Sequence, residues 1–152
     1  MKIAAHLSLA ALLLSGTAMA EPYPAATKLL TPLPVNPASA DVVNARCTET
    51  LAAGAAARTA LEGRSGAATI AGDFAAYDAL SLQLSDGLSE MYLVSETNPA
   101  APVRAAAEAC VQKISEVVTA VSLSRPIYDR LAAIPPAGLD DKTGFTLRKA
   151  HV

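Results

Sequence analysis

The sequence predicts an all-α fold: an antiparallel bundle of three long helices with one or two shorter ones, following a signal peptide and a proline-rich lead-in. Three observations carry this. Apolar residues recur every three or four positions through three separate stretches. Clusters of proline and glycine divide those stretches from one another. Of the 152 residues 34 are alanine, which favours helix and lets helices approach closely. One domain is expected at this length.

The first twenty residues read as an address. Lys2 precedes an apolar run from Leu7 to Leu14, and Ser15 to Ala20 then lead into Glu21-Pro22-Tyr23-Pro24. Ala18 and Ala20 occupy the small-residue positions that a signal peptidase requires, so cleavage is expected after Ala20. The alternative, an uncleaved anchor, asks too short a run to cross roughly 30 Å of hydrocarbon. A secreted or periplasmic protein is expected, with no membrane attachment after cleavage. Residues 21–40 form the lead-in, with prolines at 22, 24, 32, 34 and 37, and residues 41–152 form the helical domain.

Asn36-Pro37 offers an N-cap and a first-turn proline, so the first helix is expected to begin there. Val43, Cys47, Leu51, Gly54 and Leu61 supply its inner face, Arg46, Glu49, Arg58 and Glu62 its other face, and Gly63 to Gly66 its end. The second helix carries Ile70, Phe74, Tyr77, Leu84, Leu88 and Met91 inward, with Asp73, Asp78, Asp86 and Glu90 as its wet side. Asn98-Pro99 repeats the cap-and-proline start, and Val103, Ala107, Cys110, Ile114, Val117 and Val121 stripe a third helix. Pro126 forces a kink or a new helix, with Ser124 as its cap, and Ile127, Leu131 and Ile134 continue the stripe as far as Pro135-Pro136. A last segment opens at Asp140 and Asp141, includes Phe145 and Leu147, and reaches Val152 without a stop signal, as a frayed or a truncated helix does.

Charge and composition exclude several classes of function. The formal charge is −2, and removing Lys2 with the signal leaves eleven basic against fourteen acidic residues, a net of −3. With 4% aromatics and no lysine and arginine run, the chain lacks the footprint of a nucleic-acid binder or a polybasic membrane anchor. Beyond residue 20 the sole histidine is His151, so no histidine set for zinc, no haem attachment and no base for a nucleophilic serine is present. The sequence offers no catalytic, metal-binding or cofactor-binding residue. The acidic side chains read as caps and solvated faces, and Tyr77, Tyr92 and Tyr128 as amphipathic core residues.

Cys47 and Cys110 both lie on apolar helix stripes, and a secreted protein meets an oxidising compartment. A disulfide between the first and third helices is expected, worth roughly 4 kcal/mol at most on the chain-entropy model, with two separate buried thiols as the alternative.

Arg104-Ala105-Ala106-Ala107-Glu108, Ser115 and Arg125-Pro126-Ile127-Tyr128-Asp129-Arg130-Leu131 resemble a stretch of the thimet oligopeptidase family, which includes oligopeptidase A and bacterial dipeptidyl carboxypeptidase. Asp141-Lys142-Thr143-Gly144-Phe145-Thr146-Leu147 is similar to the segment that follows it. The resemblance covers roughly Ala45 to Val152 and implies the N-terminal, channel-wall helices of a zinc metallopeptidase that hydrolyses short peptides. The family's His-Glu-x-x-His and distant glutamate have no counterpart here. Zinc, peptide substrate and a C-terminal catalytic domain would then belong to a longer parent, leaving this chain inactive alone. The competing expectation is an autonomous extracytoplasmic helical module that binds a partner or peptide without catalysis.

Overall fold

A computed structural model describes residues 36–135 together with Lys142, Gly144 and Phe145. The signal segment with Ala18 and Ala20, the lead-in before Asn36, and Asp140, Asp141 and Leu147 lie outside the described residues. All regular structure with assigned bounds is helical: α1 is Ala40–Glu62, a π-helical turn Ile70–Phe74 runs directly into α2, Ala75–Thr97, α3 is Ala101–Ser122 and α4 is Arg125–Ala132. Lys142, Gly144 and Phe145 are also helical.

Both Asn-Pro pairs stand just outside the helices they were expected to start. A residue before proline is pushed out of the α region, and Asn98 accordingly sits extended, with ψ of 132°, at the end of α2. Its side chain then serves two neighbours. Oδ1 accepts from the Ala100 amide at 3.0 Å, and Nδ2 donates to the Pro37 carbonyl at 3.2 Å. The α2–α3 turn is thereby tied to the segment entering α1, and α1 begins three residues beyond Pro37, with Ser39 in the capping position. Pro126 ends α3 instead of bending it. Ser124 occupies the N-cap position of α4, but its hydroxyl donates to Glu62 Oε1 at 2.7 Å instead of capping the helix.

Each long helix packs against the other two, with α4 against α1 and the π turn. Cross-contacts between α1 and α2 run in opposite chain directions. Arg46 meets Glu90, and the sites of Gly87 and Gly54 lie against Thr50 and Leu84. The two glycines allow that approach: a Cβ at 87 would fall 2.7 Å from Thr50 Cγ2 and 3.4 Å from Ile114 Cδ1, and one at 54 would fall 3.0 Å from Leu84 Cδ2. The predicted stripes supply the core, with Val43, Leu61, Leu84, Met91, Ala107, Ile114 and Leu131 buried. Each fully buried large apolar side chain contributes about 1.5–3 kcal/mol.

Three expectations are corrected here. Asp73, assigned to the wet side of α2, is 0% exposed, because it receives four hydrogen bonds at the start of that helix. Arg46, assigned to the outer face of α1, is 8% exposed, since Glu90 of α2 receives its guanidinium at 2.8 and 3.2 Å. Tyr92 and Tyr128, expected in the core, are 53% and 41% exposed, while Tyr77 does pack against it. Met91, Val94 and Ser95 take the buried face of α2, and Ile127 and Leu131 that of α4, which turns Tyr92 and Tyr128 to the outside.

Candidate functional site

The densest polar arrangement among the described residues centres on Asp73. It is assembled from the α1–α2 connection, the π turn and α4. Thr69 caps the turn in the extended conformation, its Oγ1 accepting from the Gly72 amide at 3.0 Å. Asp73 reciprocates, its Oδ2 accepting from the Thr69 amide at 2.8 Å. A capping box normally places the acid three residues after the cap. Here it stands four residues after, because the turn is wide: the Thr69 carbonyl accepts from both Asp73 N at 2.8 Å and Phe74 N at 3.3 Å.

The other carboxylate oxygen draws in two arginines. Arg64 Nε donates to Asp73 Oδ1 at 3.0 Å, and Arg130 donates to the same atom through Nε at 2.9 Å and Nη2 at 2.6 Å. Arg130 Nη1 also donates to the Gly66 carbonyl at 2.7 Å, so α4 holds the connection directly. Gly66 has φ of +81°, a left-handed conformation that glycine adopts without steric cost. Burial by itself would raise the Asp73 pKa, but the Thr69 amide and the guanidinium groups of Arg130 and Arg64 outweigh it and hold the carboxyl below its ordinary value.

A second carboxylate lies at the end of α1. Glu62 Oε1 accepts from Ser124 Oγ at 2.7 Å and from Arg58 Nε at 2.8 Å, and these two bonds lower its pKa. Glu62 fastens the end of α1 to the α3–α4 junction, and Asp73 fastens the start of α2 to the α1–α2 connection and the last turn of α4.

Cys47 and Cys110 are joined by a disulfide linking α1 to α3, with Cα atoms 5.7 Å apart. The residues that carry the oligopeptidase resemblance act locally. Arg104 Nη1 donates to the carbonyls of Asn98 and Pro99 at 2.9 and 3.0 Å, Ser115 bonds the Val111 carbonyl, and Arg125 pairs with Asp129 at 2.8 Å while lying over the Tyr128 ring. Arg130 is the exception, reaching across to Asp73. No group of three or more histidine, cysteine or acidic side chains converges among the described residues, and no helix among them is long and apolar enough to cross a membrane.

Sequence reasoning missed the Asp73 cluster. The Thr69-x-x-x-Asp73 spacing is one residue longer than the usual capping signature, and Arg130 lies 57 residues away in sequence. Compared with protein-family models, with curated proteins and with solved structures, the chain matches none.

Proposed function

We propose that this chain is an extracytoplasmic helical interaction module, an antiparallel three-helix bundle with a short fourth helix that acts by binding a partner. The observation that carries the reading is the Cys47–Cys110 bond, buried between α1 and α3. Such cross-links belong to oxidising compartments, which agrees with the signal-like residues 1–20. The outer surface offers material for binding. Leu82 and Leu93 lie exposed on α2, and Leu123, 79% exposed, stands near the Arg125–Tyr128 stack at the α3–α4 corner. Exposed aromatic and arginine side chains are the residue types that dominate binding energy when a partner desolvates them.

Those exposed leucines also favour a second reading, in which the chain is the channel-wall part of a zinc oligopeptidase and they pack against a catalytic domain of a longer parent. Intact mass of the native secreted polypeptide, with and without reduction, separates the two. A mass matching residues 21–152 that gains two protons on reduction supports the module. A mass several times larger, together with zinc-dependent hydrolysis of short peptides by the purified product, supports the peptidase reading and overturns the module.

A further inference from the structure

We infer that Arg64, backed by the largely covered Arg130–Asp73 pair, is a binding site for an oxyanion, a carboxylate or a phosphate. Both guanidinium groups donate to one oxygen, Asp73 Oδ1, at distances of 3.0 Å or less, so two positive charges are close neighbours sharing a single negative one. Asp73 is fully buried and its other oxygen is taken by the Thr69 amide, so the carboxylate has no further oxygen to offer. The cluster therefore keeps a surplus positive charge in a chain whose formal charge is −2.

The surplus is directed outward by Arg64. Its Nε is held inward on Asp73, while its side chain is 40% exposed. Gly72 forms the floor beneath it: a Cβ there would lie 2.5 Å from Arg64 Nη2, so the guanidinium rests where any other residue would place a side chain. Arg130, by contrast, is largely covered and tied to Gly66. A guanidinium anchored through Nε presents its Nη edge in fixed orientation, and that planar donor pair matches the two oxygens of a carboxylate or phosphate. The assignment deepens the interaction reading and rests on it, with an acidic segment of a partner as the occupant. Free phosphate shares the chemistry.

The test is an NMR amide-shift titration of the oxidised chain at low ionic strength, once with inorganic phosphate and once with an acetylated Glu-Glu-Glu peptide. Saturable shifts confined to residues 64–73 and 130 are expected. Arg64→Gln should weaken that binding about tenfold in a chain whose amide spectrum stays dispersed, with some loss of thermal stability from the bond to Asp73, and Gly72→Ala should weaken it by displacing the Arg64 edge. Saturation by the peptide identifies a protein carboxylate as the source, and saturation by phosphate alone identifies the free ion. Shifts that do not saturate with either probe, or that persist undiminished in Arg64→Gln, overturn the site. The native-mass experiment bears on the interaction reading separately, so failure of one does not imply failure of the other.

Discussion

Asp73 shows how one side chain can hold together parts of a fold distant in sequence. Its four hydrogen bonds join the π turn, the α1–α2 connection and α4, all within a side chain that water does not reach. Asp73→Asn keeps the size but removes the charge, leaving Arg130 largely covered without its anionic partner. A loss of about 3 kcal/mol is expected, read as a lower urea midpoint with little change in slope. The acid response has a defined sign. Asp73 and Glu62 both have folded pKa values below their ordinary ones, so both contribute stability that is present above those ordinary values and lost as pH falls through the folded ones. Stability should therefore fall with acidification below about pH 4.5, and the fall should be shallower in Asp73→Asn; an equally steep limb in that variant would assign the acid response to other carboxylates.

At the scale of elements, helix contact depends on small residues at defined heights. Gly87 is the sharpest case, because the atom a Cβ would meet, Thr50 Cγ2, belongs to a buried and β-branched side chain with little freedom to move. Alanine should gain about 1 kcal/mol of helix propensity there, yet overpacking costs about 1–3 kcal/mol and is expected to prevail. Gly87→Ala should lower the melting temperature, and Thr50→Ala in the same background should recover part of the loss. Cys47 and Cys110 make a separate contribution by closing a loop of 63 residues between α1 and α3. Replacing both with alanine should destabilise by up to about 4 kcal/mol in calorimetry, and wild type under reducing conditions should melt at a similarly lowered temperature.

Across the described residues, apolar side chains divide between a core shared by four helices and an outer set exposed at the surface. Leu123 and Tyr128 belong to the outer set. The substitution Leu123→Ser should change stability by no more than about 0.5 kcal/mol in urea unfolding. The same variant should lose affinity in any assembly that the wild-type protein forms, measured by light scattering or by titration with the partner. Unchanged affinity would move the binding surface away from the α3–α4 corner.

The sequence alone determined the helical content, the order of the helices and an interruption at Pro126, and it favoured pairing of Cys47 with Cys110 over two separate thiols. Each of these follows from local rules: periodicity, the geometry of proline, and two cysteines on inward stripes. Tertiary structure decided what those rules cannot express. Arg46 and Asp73 look like surface charges within their own helices, and only the arrival of Glu90 from α2, or of Arg64 and Arg130 from the connection and α4, makes their burial favourable. Tyr92 and Tyr128 lie outward for a related reason, since the residues that meet the other helices are Met91 and Val94 on α2 and Ile127 and Leu131 on α4. Burial of a charge or a ring depends on what faces it across the bundle, and that information is carried by residues tens of positions away in the chain.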